Sequence, residues 1–165
     1  ICHIANSTSA VKFLLTPQLQ FLQSSGYEVW VACHVDTYSE EIESKGIRIK
    51  NIRFSRNIFS FWHPVAFLQL LFFFKKERFD LVHTHNPVPG ILGQLAAKTA
   101  GIPVIINTIH GFYFSEETSV PKRKIFIMAE RLAAKCSTLI FSQNREDIET
   151  AVKENICQPE LSHAS

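Results

Sequence analysis

The sequence lacks the short signatures that would assign a chemistry at once. It has no GxxxxGK[ST] phosphate loop and no GxGxxG fingerprint, so a dinucleotide fold of the usual kind is disfavoured. Its four cysteines, Cys2, Cys33, Cys136 and Cys157, are widely spaced. No pair has the spacing of a zinc site or a redox motif, and they read as free thiols in a reducing compartment. Strong charge of either sign is missing too: the net charge is +2 with histidines neutral, which leaves no electrostatic footprint for nucleic acid. The most apolar run, residues 65–74, is too short to span a bilayer and is followed by Lys75, Lys76 and Arg78. No signal peptide is visible in a sequence that starts at Ile1 rather than Met.

What remains is a chain of 165 residues, 46% hydrophobic and 19% charged, long enough for one domain with a real core and too apolar for pervasive disorder. The patterning alternates strand and helix. Strands are expected at 1–5, 27–33, 47–52, 80–83, 104–108 and 137–141, the second being rich in β-branched and aromatic residues. Helices are expected at 11–25, 37–45, from about Pro64 through the phenylalanine-rich stretch, from Pro89 or Gly90 to Gly101, from Pro121 to about Lys135, and from Arg145 to about Lys153 with Asn144 as cap. This order implies an α/β, Rossmann-like three-layer domain: a mainly parallel sheet with helices on both faces. One domain is expected over 1–155, with 156–165 as a frayed tail.

Right-handed crossovers put all the strand ends on one sheet edge, where open α/β sheets bind ligands. Residues 80–114 deliver polar groups there. His83 and His85 close one strand, with His85 expected in the loop after it, and alternation lets the two share an orientation. Pro87 biases Asn86 toward extended backbone. His85 reads either as a hydrogen-bonding partner for a sugar hydroxyl or phosphate, or as loop packing. His110 and Gly111 follow the next strand. There a histidine can donate, accept or move a proton near neutral pH, and the glycine allows close backbone approach. Thr108 shapes the same pocket or is simply a strand residue. Asn6, Ser7, Thr8 and Ser9 follow the first strand and read either as a phosphate-binding turn or as a helix cap. Glu130 either reaches the cleft from the helix before the last strand or forms a surface ion pair. Three histidines raise the question of a metal, but their spacing supports no tetrahedral set. Phe72, Phe73, Lys75 and Lys76, with the basic run Lys122, Arg123 and Lys124, read either as core and solvated charge or as a membrane-facing surface.

The stretch DLVHTHNPVPGILGQLAAKTAGIPVIINTIHGF, supported by GYEVWVAC and ERLAAKCSTLIFSQNREDI, resembles the N-terminal domain of family 4 glycosyltransferases of the two-domain GT-B type, especially those building capsule, exopolysaccharide or lipopolysaccharide. The resemblance implies transfer of a sugar from a nucleotide-sugar donor, with retention and without a bound metal or other cofactor, to a glycan or polyprenyl-diphosphate-linked acceptor. It implies His110 at the reaction centre; Glu130 is the weaker catalytic candidate, from its place in the chain rather than from the resemblance. Substrate would be contacted by Asn6, Ser7, Thr8, Ser9, His85, Asn86, Thr108 and Gly111. Phe72, Phe73, Lys75, Lys76, Lys122, Arg123 and Lys124 would lie toward an anionic membrane, giving a cytoplasmic or peripheral inner-membrane location. The first turn departs from the glycine-rich form of many relatives. The family also continues into a second, nucleotide-binding domain, so this chain would need that domain or a partner subunit and would transfer poorly alone. A GT-B-like sugar-nucleotide epimerase and a non-catalytic binding domain are the alternatives.

Overall fold

Polar residues end the first strand and start the first helix. Ser7 closes β1 (Cys2–Ser7), and its side chain accepts from the Ala10 amide at the start of α1 (Thr8–Ala10). The helix then widens to a π-helical stretch, Val11–Leu15, before α2 (Thr16–Ser24). Pro17 supplies the reason: it has no N–H to continue the ladder, and the Thr16 amide bonds back five residues to Val11 instead. The single helix expected over 11–25 is therefore interrupted. This computed structural model describes residues 1–55, 60–85, 87–115 and 117–158, together with the backbone of 162–164. Asn86 lies outside the described residues.

The remaining strands are β2 (Trp30–His34), β3 (Arg48–Asn51), β4 (Leu81–His85), β5 (Val104–Ile109), β6 (Leu139–Ser142) and β7 (Ser162–Ala164). They form one sheet in the order β3-β2-β1-β4-β5-β6-β7, every pair parallel. The expected α/β class holds. Two expectations are corrected. Residues 162–164 add a strand beside β6 rather than fray. His85 is the last residue of β4, not a loop residue, because its pairing with Thr108 of β5 extends the ladder two positions further than the apolar run suggests.

Helices α3 (Ser39–Glu43), α4 (His63–Glu77), α5 (Pro87–Ala100), α6 (Val120–Ala134) and α7 (Arg145–Lys153) complete the layers. Asn144 caps α7 as expected, its side chain accepting from the Asp147 amide. On one face of the sheet, Ala66, Leu70, Phe73 and Phe74 of α4 and Ala96 and Ala97 of α5 cover Cys2, Ile4 and Val82. On the other, Val11, Leu15 and Leu19 cover Ala5, Val31 and Cys33. Each buried phenylalanine contributes about 2–3 kcal/mol. The helix α5 lies close: a Cβ on Gly93 would stand 2.6 Å from Ile4 Cδ1 and 2.8 Å from Thr84 Cγ2. Strand order reverses between β1 and β4, where β1 has β2 on one side and β4 on the other. That is the topological switch point, the preferred ligand crevice of such sheets.

Candidate active site

The switch point is lined with histidine. His3 of β1 and His83 of β4 are register partners on neighbouring strands, so their side chains emerge on the same face, and His85 follows two residues on. The rings pack together, with centroids 4.9 Å apart for His3 and His83 and 4.2 Å for His83 and His85. All three are buried. His3 Nδ1 lies 3.1 Å from His85 Nε2, and His85 Nδ1 lies 3.1 Å from His110 Nε2. His83 Nε2 lies 2.7 Å from Thr108 Oγ1. Burial removes the imidazolium from water, and neighbouring imidazoles add repulsion. The His3 and His85 rings are held neutral well below the usual histidine range, and burial, with a smaller contribution from His110, lowers His83 to about 4.

Ligand atoms of His3, His83 and His85 lie within 4.8 Å of one another, and among the described residues this is the group that could hold a metal ion. A cation there would need a lone pair from His85, whose two ring nitrogens are both spent on neighbouring imidazoles. Hydrogen bonding among neutral rings is the arrangement this geometry favours.

His110 lines a shallow cleft with room for about one water molecule, about 10 Å³, lined also by Gly90, Gln94, Asn107, Thr108, Gly111 and Glu130 among others. Gly111 has φ +97°, a backbone that favours glycine. On the floor, Thr84 donates to Asn107 Oδ1 at 2.7 Å, and a Cβ on Gly90 would stand 3.4 Å from that oxygen. Among the described residues Glu130 forms no ion pair. Its side chain is buried in the cleft wall without a hydrogen-bond partner among the described residues, and burial alone raises it to about 8.

The Asn6–Ser9 turn sits at the other side of the switch point and serves Asp36. Thr8 Oγ1 and Ser9 Oγ donate to its carboxylate, the latter at 2.7 Å; the Ser9 amide donates at 3.0 Å; and the Asp36 amide donates to Thr8 Oγ1 at 3.0 Å. The donors expected to hold a phosphate already hold a carboxylate of the chain itself. His85 and His110, expected at separate ends of the site, are in direct contact instead.

A family model described as glycosyl transferase 4-like matches residues 1–144. The chain belongs to this family. Over 104 residues, 63% of this chain and 27% of the relative, it is 36% identical to the UDP-Gal:alpha-D-GlcNAc-diphosphoundecaprenol alpha-1,3-galactosyltransferase of Escherichia coli. A glycosyltransferase from Rickettsia africae superposes with a TM-score of 0.72 at 14% identity, over 99% of this chain and 41% of that one. HepE from Anabaena, solved with UDP and glucose, gives 0.66 at 13% identity, over 99% and 43%. These solved structures share the GT-B half-fold. The chain spans less than half the length of each of these proteins.

On this glycosyl transferase 4-like domain the expected surface residues separate. Phe72 is 68% exposed, but Phe73 is buried, its ring 5.4 Å from Trp30 and 5.2 Å from Phe79, so it belongs to the core. Lys75, Lys76, Lys122 and Lys124 are exposed. Arg123 is drawn inward to Glu154 at 2.5 Å. No helix among the described residues is long and apolar enough to cross a membrane. Sequence reasoning missed His3, Asp36, Gln94 and Asn107. His3 sits in an apolar strand, and only the register with β4 shows what it faces.

Proposed function

We propose that this domain is the acceptor-side half of a retaining glycosyltransferase that moves a sugar from a nucleotide-sugar to a lipid-diphosphate-linked or glycan acceptor. The observation that carries this reading is the cleft at the end of β5, beside the switch point, where His110, Gly111, Thr108 and Glu130 converge on one opening. His110 and the glycine turn face the donor sugar and the charge that develops as its bond to the diphosphate breaks. Glu130 holds a proton at neutral pH because burial raises it to about 8, so it acts as a donor to the sugar rather than as a base. The new bond forms on the face the diphosphate leaves, and the acceptor hydroxyl passes its proton to a departing phosphate oxygen. His85 supports the site from behind His110. Ser7, Thr8 and Ser9 shape the far corner through Asp36. Most nucleotide contacts come from a second domain.

Exposed Phe72, Lys75 and Lys76 on α4, and Lys122 and Lys124 with Ile125, Met128 and Leu132 on α6, offer apolar and cationic contacts to an anionic membrane carrying such an acceptor. The E. coli relative's lipid-diphosphate substrate supports this choice of acceptor class.

The test is turnover by the intact enzyme with labelled sugar nucleotides and a polyprenyl-diphosphate-linked acceptor. Glycosylated lipid is the expected product, and His110→Ala should lower kcat by roughly 10²–10³-fold. An epimerised sugar nucleotide as the product, or normal turnover by the variant, would overturn the reading.

A further inference from the structure

Behind His110 stand two more imidazoles in series, and neither lines the cleft. His110 Nε2 meets His85 Nδ1, and His85 Nε2 meets His3 Nδ1, each at 3.1 Å. The outermost nitrogens, His110 Nδ1 and His3 Nε2, are buried without a partner among the described residues. A neutral imidazole carries one N–H, so it donates through one ring nitrogen and accepts through the other. Two such bonds in series admit only two arrangements. In the first, every ring is protonated at Nδ1: His3 donates to His85, His85 donates to His110, and His110 presents Nδ1–H. In the second, every ring is protonated at Nε2, both bonds reverse, and the unpartnered N–H falls on His3.

The two ends are not equivalent. His3 is 1% exposed beneath the sheet's helical cover, and no described residue there accepts from its Nε2. His110 Nδ1 is shielded as well, but its residue is half-buried and lines the cleft, so a ligand oxygen entering there reaches it after a small shift of the cleft wall, which the core around His3 does not allow. A buried N–H left without an acceptor is among the rarest defects in folded proteins. The N–H therefore belongs at the His110 end. Burial and the neighbouring rings keep His3 and His85 neutral, so neither of these two rings stores an extra proton.

We propose that His3 and His85 lock His110 as its Nδ1–H tautomer, so that it donates a hydrogen bond to an oxygen of the bound sugar nucleotide, with His3 a positioning residue acting through His85. The identity of the accepting oxygen rests on the sugar-transfer reading; the tautomer lock does not.

The test begins with the unmodified chain, so it does not depend on any variant folding. Ring ¹⁵N spectra at neutral pH should show His3, His85 and His110 all protonated at Nδ1, with scalar couplings across both N–H···N bonds. Protonation of His110 at Nε2, absence of the couplings, or their loss on stoichiometric Zn²⁺ binding would overturn the lock. Two variants then assign the role of His3. His3→Phe keeps a ring and removes the donor, and should turn His110 into a mixture of tautomers. His3→Asn keeps an amide N–H near the Nδ1 position and should restore the lock. A locked His110 in His3→Phe would rule His3 out. In the intact enzyme His3→Phe should lower kcat on the order of 10- to 100-fold, as loss of a histidine's orienting partner does. KM for the donor should change little, and His3→Asn should recover most of the rate. Spectra as expected with unaltered kinetics would overturn the substrate contact while leaving the tautomer assignment intact.

Discussion

Asp36 and Glu130 are two carboxylic acids at the same edge of the same sheet, and they occupy opposite electrostatic conditions. Asp36 follows β2 and accepts from Thr8, Ser9 and Ser7. Partial burial pushes its pKa up, but those hydrogen bonds outweigh burial and hold it at about 2. Glu130 on α6 has no such donor, and burial alone carries it to about 8. Hydrogen-bond donors, not the chain's mild net charge, decide where this edge is anionic. The corner beside β1 and β2 keeps a fixed negative charge. The side beneath β4 and β5 holds a neutral acid and neutral imidazoles. On the proposed sugar-transfer reading, a diphosphate entering the cleft would meet repulsion at the Asp36 corner and none at Glu130, which favours the His110 side for the departing phosphate.

The neutral side should dominate the pH dependence of stability. His3, His83 and His85 are lowered by burial, whereas in the unfolded chain they titrate near 6.5. Below that pH the unfolded chain binds up to three more protons than the folded one, so stability is lost as pH falls. Each proton contributes about 1.4 kcal/mol per pH unit. Glu130 works in the opposite sense, because the folded chain keeps its proton between 4.5 and about 8, and it offsets one of the three. The net loss is roughly 2–3 kcal/mol per pH unit below 6.5, enough to unfold a domain of ordinary stability between about pH 5 and 4. Urea titrations followed by circular dichroism, with proton uptake measured across the transition, check this. Equal stability at pH 7 and pH 5 would remove the buried-neutral account of the histidines.

Above pH 6.5 Glu130 acts alone among these groups. Stability should decline toward pH 8 by about 1.4 kcal/mol per pH unit, as the unfolded carboxyl ionises and the folded one does not. Glu130→Gln preserves shape and removes the titration. The variant should hold a flat stability over that range and exceed the parent by about 1–3 kcal/mol at pH 8. A parallel decline in both proteins would show that Glu130 has a counter-charge or reaches water.

Much of this arrangement was legible in the sequence, and the remainder depended on distant neighbours. Strand and helix alternate as the periodicity implies, Asn144 caps its helix, and His110-Gly111 stands at the sheet edge, since each is settled by residues within a few positions. His3 was invisible because its partners are 80 residues away, and only strand order makes them adjacent. Glu130 reads as half of an ion pair in any local view; its neutrality comes from the cleft wall that buries it. Phe72 and Phe73 read as one apolar pair in sequence, but consecutive residues on a helix point about 100° apart, so one packs on Trp30 while the other meets solvent. Thr8 and Ser9 look free to bind phosphate until Asp36, some 27 residues on, arrives to claim them.

That last pairing supplies the smallest effect and the sharpest contrast with Glu130. Asp36→Asn removes the charge and one acceptor from the Thr8–Ser9 turn while keeping an oxygen in place. Charge-assisted hydrogen bonds at a partly solvated site are worth about 1 kcal/mol net, so the variant should lose about that much at pH 7. Its pH profile from 5 to 8 should parallel the parent's. A carboxyl held at about 2 contributes its stability above its unfolded value near 3.8 and loses it only as pH falls from there toward 2, well below that range. Substituting one acid should thus move the whole stability curve down without bending it, while substituting the other removes its descending limb. If Asp36→Asn changed the slope between pH 5 and 8, the turn would be coupled to the buried histidines beside it, and the two acids would not be independent features of one sheet edge.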